Sequence, residues 1–361
     1  FTSVVFYRIG EHGTDRSAQI LLFLIFILFF ELFFYEKKKQ NILLNLNILL
    51  ILIFMASGMK AIYYLYLILI PIILIKKNFF NKFLIKKNIL IISFLSLSLS
   101  LNLLTNYFNT GCFLYPAEKT CAITKEWSIP KKEVKKMAIH YEWWAKAGGG
   151  PGYKSEMKKE LYVKNFNWLE NWIERHFFNK VSDTLAGILL ISLIVFVTFR
   201  FSAKKKKYLF KNSYFIGYFV IIIFLIEWFL NHPTLRYGGY TLLAIPFFIY
   251  VSSVLEKYSF DKKKIYLGSI FLIMIATLIF NTRNLLRIND EINKYQYDLI
   301  SSPYFFVKNI KFEKTIIGNE MTIYTPERGE MCWAIKTPCS YGKNLRSKDF
   351  LWMKVVYRNE K

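Results

Sequence analysis

Apolar residues dominate this chain in long unbroken blocks. Ser17 to Tyr35 reads SAQILLFLIFILFFELFFY, about the length a helix needs to cross the ~30 Å hydrocarbon core of a bilayer. Similar blocks recur at 42–58, 61–75, 88–106, 184–202, 214–230, 237–255 and 264–281. A surface helix alternates apolar and polar faces, and these blocks do not. The pattern predicts an all-α polytopic membrane protein of about eight transmembrane helices. The 61–75 block is short and the 42–58 block carries Asn45 and Asn47, so these two remain open to a re-entrant or tilted arrangement.

The polar segments between the blocks fix an expected orientation. Short connections rich in Lys and Arg stay in the cytoplasm. The lysine clusters are Lys37–Lys39, then Lys76, Lys77, Lys82, Lys86 and Lys87, then Lys204–Lys207 with Lys211, then Lys257 and Lys262–Lys264. They follow spans 1, 3, 5 and 7, so the alternation is self-consistent. The start of the chain, the loop 107–183, the turn 231–236 and the tail 282–361 are then extracytoplasmic. The expected divisions are 1–106 (spans 1–4), 107–183 (a Trp-rich outer loop), 184–281 (spans 5–8) and 282–361 (an outer tail). The expected location is a bacterial inner membrane, with the large loop and the tail periplasmic. The chain opens with Phe1 in what reads as mid-domain sequence, which suggests an N-terminal truncation with further spans missing. No signal peptide is visible at this end.

Charge changes the picture little. The net charge of +24 suits either nucleic acid or the anionic face of a bilayer. The basic residues sit between apolar spans, so the lipid bilayer is the expected partner and nucleic acid is not. Cysteine usage agrees with the topology. Cys112 and Cys121 lie in the outer loop, and Cys332 and Cys339 in the outer tail. Local pairing, Cys112 with Cys121 and Cys332 with Cys339, is expected in an oxidising compartment. The spacings do not suit a zinc site and no histidine pair accompanies them, so no metal site is assigned.

The loop 107–183 carries Trp127, Trp143, Trp144, Trp168 and Trp172. Lys131–Lys146 reads as a helix after Pro130, AGGGPGY as a break, and Phe166, Leu169, Trp172, Ile173 and Phe177 as a second helical face leading into span 5. These tryptophans are expected to form an interfacial belt, with stacking on sugar rings as the alternative. His140 reads as a solvated surface residue and His176 as interfacial. The tail reads as a helix at about 284–299 followed by a small, disulfide-held α+β piece.

The densest group of candidate functional residues is EWFLNHPTLRYGGY, residues 227–240. Pro233 sets a short outer turn, and Gly238 and Gly239 permit close approach of a backbone or ligand. His232 and Arg236 stand at the membrane surface. Glu227 lies about a turn inside, where an acid is costly without a partner, and Arg236 or a histidine is the expected one. Before span 1, His12, Asp15 and Arg16 form a second group. Asp15 is either a helix cap or a carboxylate held at the outer surface. Arg matches phosphate oxygens, His exchanges protons near neutral pH, and a carboxylate acts as base. Together they suit a lipid-linked diphosphate sugar. Arg236, Arg16 and His12 would face the diphosphate, and Asp15, His232 or Glu227 would activate an acceptor hydroxyl. The only cofactor suggested is a divalent cation on a carboxylate. There is no P-loop, GxGxxG after a strand, HExxH or GxSxG.

The stretches GTDRSAQ before a span, GC…YP…TC…WS, NFNWL..W…FFNK, HPTLRYGGY and CW…PC together resemble a bacterial family of uncharacterised polytopic inner-membrane proteins associated with surface-polysaccharide genes. The resemblance covers most of the chain. Its layout is similar to GT-C glycosyltransferases and to O-antigen polymerases and ligases. A GT-C likeness implies an acidic residue in an early outer loop, which Asp15 matches. A polymerase or ligase likeness implies outer arginines and a histidine, which Arg236 and His232 match. The expectation is glycosyl transfer or polymerisation from a polyprenyl-diphosphate donor on the extracytoplasmic side. The rivals are a flippase for such lipids and a non-catalytic scaffold. Few in-span charges and only Pro71 and Pro246 within spans speak against transport.

Overall fold

The computed structural model describes residues 1–6, 14–34, 39–83, 86–122, 128–147, 157–200, 204–205, 213–295, 300, 311–317, 321–327, 332, 335–341, 345–350 and 353–358. His12, Trp127, the glycine-rich run from Gly148, and Lys37, Lys38, Lys206, Lys207 and Lys211 lie outside the described residues.

The helices follow the apolar blocks. They are α1 (Asp15–Phe34), α2 (Lys39–Met59), α3 (Leu69–Lys77), α4 (Lys86–Thr110), α5 (Lys131–Lys146), α6 (Leu169–Arg200), α7 (Ser213–Asn231), α8 (Gly239–Leu255) and α9 (Lys262–Tyr295). Among the described residues five helices, α1, α2, α4, α6 and α9, are long and apolar enough to cross a membrane. Eight such helices were expected. The blocks at 214–230 and 237–255 form shorter apolar helices. The block at 61–75 is not one α-helix. It starts as a 3₁₀ segment, Ala61–Ile68, and continues as α3.

The 3₁₀ segment has a sequence cause. A 3₁₀ helix repeats every three residues, so side chains at i and i+3 eclipse. Tyr63, Tyr66 and Leu69 keep that spacing and are all buried, while Leu65 and Ile68 face out. Tyr66 stacks on Phe224 of α7 with centroids 4.3 Å apart, and Phe26 of α1 meets both edge-on. Lys60 heads this three-residue column.

Packing inside the helical part is aromatic and aliphatic. Leu22, Ile25, Phe26 and Phe29 of α1, Leu46, Leu49 and Ile53 of α2, and Ile221 and Phe224 of α7 are buried in one cluster. Polar residues within apolar helices find each other, as interhelical pairing in an apolar medium favours. Asn47 of α2 donates to Asn88 of α4 at 2.9 Å, and Asn88 donates to the Phe83 carbonyl. Leu90 and Phe94 of α4 and Leu278 of α9 instead point outwards, as lipid-facing side chains do.

Two sequence expectations need correction here. The last span and the tail helix are one element, α9, of 34 residues. The block turns polar after Asn281 but contains no Gly or Pro there to end a helix, so it continues. Its length, about 51 Å, exceeds any bilayer core. The second helical face in the outer loop is also distorted. Ile173–Val181 is π-helical within α6.

The chain divides into two compact units. One comprises Phe1–Asn102 and Lys136–Asn284, and the other Leu103–Lys135 and Leu285–Lys361. The boundary cuts through the outer loop, so its Trp-rich half belongs to the helical unit. The second unit holds both disulfides, Cys112–Cys121 and Cys332–Cys339, paired locally as expected. It also holds two antiparallel hairpins, β1 (Phe312–Ile317) with β2 (Met321–Pro326), and β3 (Leu345–Phe350) with β4 (Met353–Arg358). The Cys332–Cys339 loop is tied to β2, where Tyr324 donates to the Pro338 carbonyl and accepts from Ser340 N–H, each at 3.0 Å.

Candidate functional site

The site lies wholly in the helical unit, where three connections meet. These are the start of α1, the junction of α2 with the 3₁₀ segment, and the turn between α7 and α8. Asp15 sits in the first turn of α1. Arg236 donates from Nε and Nη2 to its Oδ2, at 2.8 and 2.6 Å. Lys60 pairs with its Oδ1. Both carboxylate oxygens are therefore engaged by cations from two different connections, and Asp15 and Arg236 are 221 residues apart. Two guanidinium donors converging on one oxygen fix geometry more than they add stability, because Arg236 is 47% exposed. Burial lowers the Lys60 pKa, while the Asp15 carboxylate pulls it back up.

Tyr237 is the hub of the group. Lys60 Nζ lies 4.2 Å from its ring centre, the Arg236 guanidinium 5.8 Å, and the His232 ring meets it edge-on at 5.9 Å. Burial pushes the His232 imidazole down to about 4, with Glu142 opposing and Lys60 and Lys146 reinforcing the shift. At neutral pH His232 is therefore uncharged.

The turn itself is held from three sides. Trp172 of α6 donates its indole N–H to the Pro233 carbonyl at 2.6 Å. Trp228 of α7 donates to the Thr234 carbonyl at 2.9 Å. The buried Gln19 side chain, one turn below Asp15 on α1, donates to the Leu235 and Arg236 carbonyls at 3.0 and 3.2 Å. Gly238 adopts φ +107°, which favours glycine. Gly239 admits the Trp228 ring, since a Cβ there would stand 2.6 Å from Trp228 Cζ2. The close approach expected at the glycine pair is thus made by an indole.

Several expectations change. Glu227 accepts from its own helix neighbour Asn231 at 3.3 Å rather than pairing with Arg236 or a histidine. Arg16 follows Asp15 in α1 and is partly buried. Most of the described loop tryptophans pack into the protein, with Trp144 half-buried. Trp143, Trp168 and Trp172 are buried, and Trp168 and Trp172 both pack on Phe229 with centroids 5.3 Å away. His176 is buried rather than interfacial, and neither ring nitrogen has a hydrogen-bond partner among the described residues. His140 is not simply solvated. It stacks on Trp143, and Lys159 Nζ lies 3.0 Å from its Nδ1. Among the described residues, no three His, Cys, Asp or Glu side chains are grouped to hold a metal.

Sequence reasoning missed Lys60 and Gln19. The signal for Lys60 was available, as it is the single charge between two apolar blocks. Gln19 was visible as an amide at i+4 from Asp15, on the same helical face.

No curated protein and no solved structure matches the chain. Residues 1–243, which include every residue of this cluster, match the family described as Domain of unknown function (DUF8201), and the chain belongs to that family.

Proposed function

We propose that Asp15, Lys60, His232 and Arg236 form an extracytoplasmic membrane-surface site that binds a polyprenyl-diphosphate-linked sugar. The site transfers or polymerises the glycan during envelope polysaccharide assembly. One observation carries this reading. Three connections distant in sequence bring two cations, a carboxylate and a neutral imidazole to the same end of a set of apolar helices. In a transfer step the bond from the sugar anomeric carbon to the diphosphate breaks and a bond to the acceptor oxygen forms. Arg236 and Lys60 neutralise the leaving diphosphate. His232 takes the acceptor hydroxyl proton. Asp15 positions the two cations, and Glu227 belongs to the end of α7.

The reading carries a topology. The chain makes eight crossings, with the lysine-rich connections in the cytoplasm. Lys60 lies between the second and third crossings and therefore falls on the same side as Asp15 and the turn. The rod from Ala61 to Lys77 suffices for a crossing, because the steeper 3₁₀ rise brings it to about 30 Å.

The test is complementation of a deletion strain with Arg236→Ala, Lys60→Ala, His232→Ala and Asp15→Ala. Surface glycan length is read alongside protein level. Shortened or absent glycan at normal protein level is expected for Arg236→Ala, Lys60→Ala and His232→Ala. Normal glycan in all four variants overturns the proposal.

A further inference from the structure

We infer that the groove between α6, α7 and α8 binds one anionic phospholipid, with an acyl chain in the groove and the phosphate at a cationic rim. Leu193, Phe196, Tyr218, Pro246 and Val254 line a cavity of about 680 Å³. That volume suits a lipid chain or a small ligand. The groove occupies the half of these helices away from the 231–238 turn, since it runs towards the end of α6, the start of α7 and the end of α8. Ser192 also lines it, and its buried hydroxyl has no hydrogen-bond partner among the described residues.

Two walls of the groove end in a cation one helical step further on. Arg200 follows Phe196 at i+4 on one face of α6, and Lys257 lies in the turn just past the end of α8, where its N–H donates to the Val254 carbonyl at 3.2 Å. The Arg200 guanidinium lies 4.4 Å from the centre of the Tyr258 ring, which holds it near the end of α8. Beyond it the backbone pairs Lys204 with Ser259 and Lys205 with Tyr258. Lys262, Lys263 and Lys264 follow, all exposed. Glu256 and Asp261 are the opposing carboxylates, and the cations outnumber them. A neutral lipid would fill the groove but bring no net negative charge to the basic rim. A soluble polyanion would meet the rim but not the apolar walls. A molecule with both an apolar chain and a phosphate satisfies both, as basic pockets beside membrane helices do for anionic headgroups.

The experiment is native mass spectrometry of the full chain in detergent, with phosphatidylglycerol and phosphatidylcholine as probes. The wild type is expected to retain one phosphatidylglycerol in preference to phosphatidylcholine. Arg200→Gln and Lys257→Gln are each expected to weaken that retention about fivefold, at roughly one lipid-facing charge apiece. Arg200→Lys keeps the charge and keeps the preference. Val251→Trp, which fills the groove, abolishes retention of both lipids. Equal retention of the two lipids by the wild type overturns the inference. So does phosphatidylglycerol binding that neither the rim nor the groove variants alter.

Discussion

At the turn end of the helical unit, the cations Lys60 and Arg236 share one carboxylate, and indole and amide donors hold the backbone beneath them. At the opposite end, Arg200 lies on the Tyr258 ring beyond the end of an open apolar groove, and further lysines follow in sequence. Both ends are basic in sequence. They differ in what the cations face. Paired cations at the turn end are oriented, and their geometry suits recognition of a defined phosphate group. Cations at the other end share no single carboxylate and suit a charged surface, where exact geometry matters less.

Substitutions at the turn end should therefore act through packing and buried hydrogen bonds. Gly239→Ala brings a Cβ to 2.6 Å from Trp228 Cζ2, and it should cost about 3 kcal/mol by overpacking. Thermal unfolding in detergent reads this, and an unchanged midpoint would mean that the turn is not clamped. Trp172→Phe keeps an aromatic ring but removes the donor to the Pro233 carbonyl. A loss of about 1–2 kcal/mol is expected from the unsatisfied carbonyl.

A pH scan sharpens the comparison next. The folded His232 sits at about 4, below the ordinary value of about 6.5. Unfolding then takes up a proton between these values, so stability is full above about pH 6.5 and declines as pH falls towards 4. His232→Gln should lessen that decline, and an unaltered slope would show that His232 does not contribute to it. The smallest effect belongs to the opposite end. Arg200→Gln should leave the unfolding midpoint unchanged within about 0.5 kcal/mol, and a larger loss would mean that this end too is held by specific contacts.

Much of the helical layout was legible because apolar blocks and lysine clusters alternate. Asp15, His232 and Arg236 were legible because each is a polar group at the edge of such a block. What escaped was set by partners. Composition alone gives no sign that Trp172 and Trp228 point their N–H groups at a turn rather than at an interface. Glu227 invited a long-range ion pair, yet Asn231 at i+4 was the nearer partner. The change from apolar to polar near Asn281 looked like a helix end, although only Gly, Pro or a cap would have made one. Lys60 was overlooked because its role depends on the three-residue column below it, which follows from the 3₁₀ geometry of Ala61–Ile68.

The most direct measurement is binding of a purified polyprenyl diphosphate to the full chain in detergent, for the wild type and for the Lys60→Ala, Arg236→Ala double variant. Saturable binding by the wild type that is lost in a folded double variant is the predicted result. Equal binding by both proteins would contradict a phosphate site at the turn end.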